Sequence, residues 1–411
     1  MTASPRTKIL VVGSGWRFLS GISYYTCRLS NALAERYEVG AILMRRLLPA
    51  RLYPGRERVG HSLADLRYAP SVRVFDGVDW WAVPSLVRAV RFLRSYQPDV
   101  LVLQWWTGAV LHSYLVLALA ARSLGIRVVV EFHEVQDTGE ARHAWAARYV
   151  RRCIRPLLER TDGVIVHSEF DRLAVRDSFD IGPVPMEIAL HGPFDHHEVA
   201  RRPGTPGVCR LLFFGTIRPY KGLEDLIEAF AGLGPGYHLT VVGETWEGWT
   251  QPGEMIVDSP VRDRITFVNR YVADAEVNDF FAAADVVVLP YRRSSASGPL
   301  HIAMSHGVPV VVTAVGGLVE AATDYSGTVF VAPASPAELA RGIARAAGLC
   351  GRRHADPSSW DRTVDAYSRL LSALADGQAL GGQALDGQAL DGQDSTTSSN
   401  QTEPLLSPDL R

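Results

Sequence analysis

The chain reads Leu211-Leu212-Phe213-Phe214-Gly215-Thr216-Ile217-Arg218-Pro219-Tyr220-Lys221-Gly222 and continues with Leu223-Glu224-Asp225-Leu226-Ile227-Glu228-Ala229-Phe230. An apolar, strand-like run comes first, then a glycine-containing turn, and then a run whose apolar residues have helical spacing. A strand followed closely by a helix is the repeating unit of a parallel α/β sheet. This segment therefore predicts an α/β fold, with the cations Arg218 and Lys221 in the turn that joins a strand to a helix.

The first half of the chain repeats this alternation. Strands are predicted at 9–12, 39–43, 100–103, 128–132, 164–166 and 188–190, and helices at 24–35, 85–95 and 110–124. The strands are nearly continuous runs of Val, Ile and Leu, which is typical of a parallel sheet covered by helices on both faces. Residues 1–200 are therefore predicted to form a Rossmann-like domain.

A break at 201–207 separates the two halves, because its prolines and glycines interrupt both helix and sheet. The alternation then resumes, with strands predicted at 211–214, 239–242, 286–289, 308–312 and 328–331 and helices at 223–230, 277–283 and 301–306. A second Rossmann-like domain is predicted over 208–356. Open parallel sheets bind ligands beyond the carboxyl ends of their strands, so two such domains predict a site in the cleft between them.

The end of the chain has a different composition. From residue 376 a five-residue repeat of the Asp-Gly-Gln-Ala-Leu type leads into a segment rich in Ser, Thr and Pro. Such a sequence cannot bury enough apolar surface to offset its ordering entropy. Residues 376–411 are predicted to be a disordered tail, and no function is assigned to them.

Composition narrows the class of protein and its compartment. Apolar residues make up 47% and charged residues 21% of the chain, as in ordinary soluble enzymes. The four cysteines, Cys27, Cys153, Cys209 and Cys350, have neither disulfide-framework nor zinc spacing. The N-terminus lacks signal-peptide character, and the longest apolar stretch, 110–121, is shorter than the ~20 residues of a bilayer span. We expect a cytoplasmic protein.

Lysine is scarce in this chain. Of 42 basic residues only two are lysines, so the other cations are arginines. An ammonium is a compact charge that a phosphate oxygen can approach closely, whereas a guanidinium is a broad planar fork. Lys221, Arg218 and the free N–H groups of the following helix are predicted to converge on a phosphate. The alternative is a pair of ordinary exposed charges in a loop.

A second candidate phosphate site follows the predicted strand 286–289. Pro290-Tyr291-Arg292-Arg293-Ser294-Ser295-Ala296-Ser297-Gly298-Pro299-Leu300 places small residues at the start of a helix, where backbone amides are open to an oxyanion. Ser295, Ser297, Gly298 and Leu300 are therefore candidate phosphate-binding residues. A plain helix cap by Ser297 would have the same pattern.

The end of the fifth predicted strand offers acid–base candidates, His133 and Glu134. A lone histidine is more often a packed or capping side chain, so this alternative stays open. The glycine-rich segment Gly13-Ser14-Gly15-Trp16-Arg17-Phe18 resembles a dinucleotide fingerprint, but Phe18 occupies its third glycine position. No acidic DxD at a strand end, GxSxG or HExxH is present, which argues against a metal-held donor, a serine hydrolase and a zincin. No metal site is predicted.

In their order and spacing these segments resemble the retaining family 4 glycosyltransferases of the GT-B type. The resemblance extends over about 7–375 and includes the following motifs: Ser20-Gly21-Ile22, Phe132-His133-Glu134, 164–169, His191-Gly192-Pro193, 215–222, Val242-Gly243, 282–286, 303–311, Gly316-Gly317 and Ser359-Trp360. It implies two Rossmann-like domains that face a central cleft, with the helix 357–375 crossing back to the N-terminal domain.

The resemblance also implies roles for individual residues. Arg218 and Lys221 would hold the diphosphate of a nucleotide-sugar donor, helped by amides around Ser297 and Gly298, and His133 would contact the transferred sugar. The implied donor site comprises Gly15, Gly21, Gly215, Gly243, Tyr271, Val272, Ser295, Ser297, Gly298 and Leu300, with the segment Arg270-Tyr271-Val272 bordering the base. The nucleotide sugar would be a co-substrate, and no further cofactor is implied.

Two departures from the family pattern put the identity of the donor in doubt. The family commonly has an acidic pair eight residues apart, where this chain has Ser294 and Ile302. The arginine that usually precedes the lysine by five residues is Thr216 here, with Arg218 nearer.

Partners are predicted less specifically. The acceptor would be a glycan, a lipid-linked molecule or a small molecule, and nucleic acid is not expected. Residues 1–197 carry 25 basic and 19 acidic side chains, and basic residues alternate with apolar ones over 45–58. That combination suits peripheral contact with an anionic membrane, although a solvated loop is equally ordinary.

Three other functions are compatible with the residues. A different GT-B activity, such as a phosphorylase or a nucleotide-sugar epimerase, would share the phosphate site. An NAD(P)-dependent oxidoreductase would need the glycine fingerprint that is broken here. A catalytically inactive GT-B partner subunit would explain Ser294 and Ile302.

Overall fold

The computed structural model describes residues 6–15, 21–46, 67–79, 82–134, 144–194, 202, 204–246 and 248–376. Most of the predicted tail, most of the basic segment 45–58 and the loop 16–20 lie outside these residues. Asp376, the first residue of the predicted tail, is the last residue of a helix.

The first sheet has seven parallel strands in the order β3-β2-β1-β4-β5-β6-β7. The strands are β1 (Lys8–Ser14), β2 (Glu38–Arg46), β3 (Arg73–Asp79), β4 (Val100–Trp105), β5 (Arg127–Phe132), β6 (Gly163–Val166) and β7 (Met186–Ile188). The helices are α1 (Gly21–Leu33), α2 (Val83–Tyr96), α3 (Leu111–Ser123), α4 (Ala144–Cys153), α5 (Arg155–Leu158) and α6 (Glu169–Ser178). We call this sheet with its helices, residues 8–194, the first domain.

The second sheet has six parallel strands in the order β10-β9-β8-β11-β12-β13. The strands are β8 (Cys209–Phe214), β9 (Tyr237–Val242), β10 (Ile265–Val268), β11 (Val286–Leu289), β12 (Val310–Thr313) and β13 (Thr328–Val331). The helices are α7 (Leu223–Ala231), α8 (Gln251–Asp258), α9 (Asp274–Ala283), α10 (Gly298–Ser305), α11 (Gly317–Thr323) and α12 (Pro336–Ala347). We call residues 209–347 the second domain. The predicted α/β class with two parallel sheets is thus confirmed.

Some elements were not predicted, and one was misplaced. The strand expected at 188–190 is Met186–Ile188, two residues earlier. Strands β3 and β10 have no counterpart in the prediction, and neither do helices α4, α5, α6, α8, α11 and α12. Both missed strands are edge strands of their sheets. Both are also partly exposed and contain a polar residue, Asp76 in β3 and Thr266 in β10, which weakens the apolar strand pattern.

Helix α13 (Trp360–Asp376) completes the core of the first domain rather than that of the second. Its side chains Val364, Tyr367 and Leu370 belong to the same buried cluster as Ile9 and Val11 of β1. The Thr363 hydroxyl donates to the Leu190 carbonyl over 2.6 Å, and the Tyr37 and Ser368 hydroxyls are 2.7 Å apart. The chain therefore leaves the first domain, builds the second and returns.

Side chains from both domains meet in an apolar cluster. Tyr24 and Phe194 of the first domain, with ring centroids 4.3 Å apart, pack with Tyr271 and Ile302 of the second. Among the helices of the described ranges, none is both long and apolar enough to span a bilayer.

Candidate active site

The site begins where strands β8 and β9 end side by side. Gly215 has φ 125° and Gly243 has φ 152°, which are backbone conformations that side chains rarely adopt. A Cβ atom on Gly243 would collide with the Gly215 carbonyl, so the two strand ends approach this closely only as glycines. The loops that follow Gly215 and Gly243 therefore begin next to each other at the carboxyl edge of the sheet.

The loop after Gly215 contains a 3-10 turn, Pro219–Lys221, that ends at Gly222 in a left-handed conformation. A Cβ atom on Gly222 would overlap the Pro290 carbonyl in the loop after β11. The Arg292 amide also donates to the Tyr220 carbonyl over 2.8 Å. These contacts join the two loops that the sequence proposed as phosphate sites.

Arg292 strengthens this connection. Its guanidinium pairs with Glu224 at 2.8 Å and with Asp225 at 2.9 Å, both in the first turn of α7. These ion pairs hold the loop after β11 against the start of α7.

Lys221 is nearly buried, with 8% of its surface exposed. Its ammonium lies 3.6 Å from the centroid of the Tyr291 ring, a cation–π contact. Among the described residues, no carboxylate lies within 4.0 Å of this ammonium. Burial lowers the pKa of Lys221, and the charge of Glu134 in the first domain partly opposes that effect. A buried cation with this environment is suited to binding an anion that arrives from the cleft.

Arg218 lies in the same loop but is held differently. Its guanidinium carbon is 4.4 Å from the centroid of the Trp246 ring, and the Trp246 indole N–H donates to Glu244 over 2.9 Å. An aromatic face orients the guanidinium plane without neutralising its charge. Trp246 and Tyr291 support the two cations and were not predicted from the sequence.

Ser297 caps helix α10, as the plain alternative expected. Its hydroxyl accepts from the Leu300 amide over 3.4 Å and lies 3.4 Å from the Tyr291 hydroxyl. The Leu300 amide also donates to the Ser297 carbonyl, and the Leu300 side chain is fully buried. Ser295 precedes Ser297 in the same loop and lines the pocket between the domains, and Gly298 begins helix α10.

Ser294 and Ile302, which stand where the family commonly has an acidic pair, have structural contacts in this chain. Ile302 packs in the apolar cluster with Tyr24, Phe194 and Tyr271. The Ser294 hydroxyl donates to the Ala296 carbonyl over 2.8 Å, which holds the loop in place. Tyr271 is therefore part of the interdomain cluster, whereas Val272 is buried in the core of the second domain.

The first domain contributes the end of β1. The Gly15 amide donates to the Met44 carbonyl over 3.0 Å, and the Ser23 hydroxyl donates to the Gly15 carbonyl. Gly21 begins helix α1 and has open space around it. The loop 16–20 between them lies outside the described residues.

His133 stands over a fully buried carboxylate, Glu131. Its Nε2 atom is 3.6 Å from Glu131 Oε2, while the Tyr25 hydroxyl and the Gln104 amide donate to Glu131 over 2.7 and 2.9 Å. Burial acts to raise the pKa of Glu131, but His133, His167 and the Tyr25 hydrogen bond lower it to about 2. Glu131 is therefore a fixed negative charge beneath the site.

Three further histidines surround His133. His167 Nε2 is 3.0 Å from His133 Nδ1, the His191 ring centroid is 4.2 Å from that of His167, and His301 of the second domain is 5.2 Å from His191. Burial lowers the pKa of His167 and of His301 to about 4, and it lowers that of His191 as well. These rings are neutral near pH 7.

The sequence contained a signal for this cluster. His133, His167 and His191 follow the carboxyl ends of β5, β6 and β7, which are neighbours in the sheet. Histidines after adjacent parallel strands must converge, but the prediction treated His133 alone and the other two only as parts of motifs.

A pocket between the domains opens onto this cluster. It is lined by His167, His191, His301, Ser295 and Glu320, among others. Glu320 of α11 accepts the Glu169 and Phe170 amides at the start of α6 over 2.7 and 2.9 Å. One carboxylate of the second domain thus caps a helix of the first.

Two family models match the chain: the glycosyl transferase 4-like domain over residues 20–189 and glycosyl transferases group 1 over residues 209–348. They match the first and second domains in turn. The chain therefore belongs to the glycosyltransferases that combine these two domains, and its fold is the GT-B fold. None of these matches favours the oxidoreductase alternative.

Individual relatives agree with this assignment. The chain is 30% identical to the D-inositol 3-phosphate glycosyltransferase of Segniliparus rotundus over 217 residues, a match that spans about half of each chain (49% and 48%). It is 26% identical to the 2-deoxystreptamine glucosyltransferase of Streptomyces kanamyceticus, over 77% of this chain and 87% of that one. Anabaena HepE, solved in complex with UDP and glucose, superposes with a TM-score of 0.60 at 16% identity, covering 89% of this chain and 100% of that one.

Proposed function

We propose that the protein transfers a sugar from a nucleoside-diphosphate sugar to an acceptor hydroxyl, with retention of anomeric configuration and without a metal ion on the diphosphate. The observation that carries this proposal is the buried ammonium of Lys221, held against Tyr291 at the carboxyl edge of the second sheet. The complex of HepE with UDP and glucose supports a nucleotide-sugar donor.

In the proposed reaction the acceptor oxygen bonds to the anomeric carbon of the sugar. The bond from that carbon to the diphosphate oxygen breaks, and the hydroxyl proton passes to a phosphate oxygen of the leaving diphosphate. Attack from the face that the diphosphate leaves gives retention and requires no protein nucleophile. The main task of the protein is then to stabilise the departing polyanion.

Lys221 and Arg218 are the residues that would do this. Tyr291 and Trp246 orient their charges before the donor binds, so little reorganisation is needed as negative charge develops. One preorganised hydrogen-bonding group of this kind on the protein contributes about 3–4 kcal/mol to transition-state stabilisation, or about 100- to 1000-fold in rate. His133, above the fixed charge of Glu131, would contact the transferred sugar.

The base and ribose would be bound differently from the common family pattern. Ile302 and Tyr271 offer an apolar surface where an acidic ribose contact is usual. We infer that Ser295, Ser297, Gly298, Gly215 and Gly243 provide small residues and backbone groups near the diphosphate, and that Gly15 and Gly21 allow the loop between them to reach the sugar.

The acceptor and the cellular location are proposed only as broad classes. A glycan, a lipid-linked molecule or a small molecule would bind to the first domain, and the protein would act in the cytoplasm. Arg45 and Arg46 begin the basic segment proposed to contact an anionic membrane. Flotation with anionic vesicles tests this contact. If the protein does not associate with the vesicles in a salt-sensitive way, the membrane contact is contradicted.

The catalytic proposal is tested by incubating the purified protein with a panel of nucleotide sugars and measuring nucleoside diphosphate release. Lys221→Ala should lower turnover with the active donor about 100- to 1000-fold while the protein stays folded. Lys8→Ala is the matched control, because Lys8 is the other lysine and pairs with Glu38 at the surface.

Near-normal turnover in folded Lys221→Ala would contradict the role of Lys221. If the wild type releases no nucleoside diphosphate from any donor, the alternative of a catalytically inactive subunit is favoured. The anomeric configuration of the product, read by NMR, tests retention.

A further inference from the structure

The histidine cluster brings together side chains from four segments of the chain. His133, His167 and His191 each offer one ring nitrogen within 4.8 Å of the others, and His301 approaches from the second domain. Three of these four residues are at most 5% exposed. The proposed transfer reaction assigns a role only to His133, so the other rings are unexplained.

Several nitrogens in this cluster are buried without a hydrogen-bond partner among the described residues. They are His133 Nε2, both ring nitrogens of His191, and His301 Nδ1. Leaving a buried polar atom unpaired costs free energy, and native proteins normally satisfy such atoms with protein, water or an ion. His133 Nε2 faces the Glu131 carboxylate at 3.6 Å, but within the described ranges neither ring nitrogen of His191 has such a neighbour. Unpaired nitrogens inside a cluster of three histidines indicate that the cluster binds a ligand.

The hydrogen bonds show which nitrogens carry lone pairs. His167 Nδ1 is 2.7 Å from the Ala189 carbonyl, which can only accept, so Nδ1 carries the proton. In the neutral ring, His167 Nε2 then carries a lone pair. It points at His133 Nδ1 over 3.0 Å. Either a proton or a cation must lie between these two nitrogens.

The spacing suits a metal ion as well as a proton. Two nitrogens bound to one tetrahedral zinc at about 2.0–2.1 Å lie about 3.3 Å apart. Small side-chain rotations would therefore place His133 Nδ1, His167 Nε2 and one nitrogen of His191 around an ion.

The surroundings match those of metal-binding histidines. Such histidines donate their second ring N–H to a carbonyl or a carboxylate, which fixes the tautomer and raises the basicity of the ligating nitrogen. His167 donates to the Ala189 carbonyl, and His133 Nε2 faces the Glu131 carboxylate at 3.6 Å. Tyr25 and Gln104 hold that carboxylate in turn.

We propose that His133, His167 and His191 form a binding site for one divalent transition-metal ion, best suited to Zn²⁺. Three imidazoles without thiolates favour Zn²⁺ over Mg²⁺ or Ca²⁺, which require oxygen ligands. The ion enters through the pocket lined by His167, His191 and His301. Its fourth position is open to water or to His301. The diphosphate remains with Lys221 and Arg218, whereas His133 is shared between the metal site and the proposed sugar contact, so metal binding is tested in the absence of a sugar donor.

The test uses the full chain without a histidine tag, stripped with a chelator and titrated with Co²⁺ and Zn²⁺. We expect one equivalent of Co²⁺ to produce the intense visible absorption of tetrahedral nitrogen ligation, and Zn²⁺ to displace it. Zn²⁺ should also raise the melting temperature of the wild type.

His191→Gln should abolish the Co²⁺ spectrum. Glu131→Gln, which retains all three ligands, should weaken binding about 10- to 100-fold, because it removes the carboxylate charge that faces His133 Nε2. His238→Gln is the matched control, because His238 bonds to Thr266 at the surface of the second domain and should leave the affinity unchanged.

The proposal is overturned if the wild type binds no stoichiometric ion, or if His191→Gln binds Co²⁺ with the wild-type spectrum and affinity. Circular dichroism establishes that each variant is folded. The Glu131→Gln titration keeps the test decisive if His191→Gln does not fold, since unchanged affinity in that variant also contradicts the site.

Discussion

At the residue scale, Lys221 illustrates how one side chain combines sequence rarity with a specific environment. A chain that uses arginine almost everywhere places a lysine where the cation is buried against Tyr291. A guanidinium at this position would need room for a planar fork, whereas the ammonium fits between the ring and the loop. The scarcity of lysine was visible in the sequence, but the supporting ring was not.

The lowered pKa of Lys221 predicts an unusual pH dependence. A lysine loses its charge as pH rises through its pKa, so lowering the pKa moves the loss of activity to lower pH. We expect the alkaline limb of kcat/KM, which reports the free enzyme, to begin below the ordinary lysine value of 10.5. A pH–rate profile with the active donor measures it.

Lys221→Arg provides the comparison, because a guanidinium stays charged over the whole range. This variant should be slower but should lose the alkaline limb. Lys8→Arg should keep the wild-type profile. The same alkaline limb in wild type and Lys221→Arg would show that another group titrates.

At the element scale, strand ends determine both the fold and the site. The central strands were predicted because they are buried on both faces and therefore nearly uniformly apolar. The edge strands β3 and β10 were missed because Asp76 and Gly77 interrupt the first, and the second contains Thr266 and has no fully buried residue. The loops after β8 and β11 were predicted to be phosphate sites from the sequence, whereas the contact between Arg292 and Tyr220 that joins them depends on tertiary structure.

Glu320 makes a contact between elements that can be tested directly. Its carboxylate caps the start of α6 from the opposite domain, and loss of such a cap costs about 0.5–2 kcal/mol. Glu320→Ala should therefore speed hydrogen exchange at the Glu169 and Phe170 amides, about fivefold for 1 kcal/mol. Mass-spectrometric exchange on the peptide containing these amides measures it.

Glu338→Ala is the control for this experiment. Glu338 accepts the Ala332 amide within the second domain and does not cap α6. Its removal should leave exchange at the start of α6 unchanged. Unchanged exchange in Glu320→Ala as well would mean that the interdomain cap does not persist in solution.

At the scale of the whole molecule, helix α13 ties the end of the described chain to its beginning. It buries Val364, Tyr367, Leu370 and Leu374 in the core that also contains β1. Burying each large apolar side chain contributes about 1.5–3 kcal/mol, so the helix as a whole contributes about 6 kcal/mol or more. That is comparable to the entire stability of a typical domain.

A chain that stops after Ser358 should therefore lose the cooperative folding of the first domain. We expect a protease to cleave this shortened chain within residues 8–194 under conditions in which the second domain resists cleavage. Mass spectrometry of the fragments locates the cleavage sites. A chain that stops after Asp376 keeps every described element and should melt like the full-length protein. Equal protease resistance of the two truncated chains would contradict this role of α13.

The amino-acid sequence alone was sufficient to predict two parallel α/β sheets and the place of Arg218 and Lys221 in the loop between β8 and the following helix. These features depend on the order of residues along the chain, on burial periodicity and on turn chemistry, which are local properties. The resemblance added the family, which the matches to both domains confirm.

The tertiary structure alone decided which side chains meet. It packed Ile302 against Tyr24 and Phe194, stacked Arg218 on Trp246, and gathered His133, His167 and His191 over Glu131. These partners are tens to hundreds of residues apart, and their contacts depend on sheet order and on how the two domains pack. Burial periodicity specifies which face of an element is covered but not by which other element. The position of the histidines after three strands was visible in the sequence, but that they meet depends on the strand order β5-β6-β7.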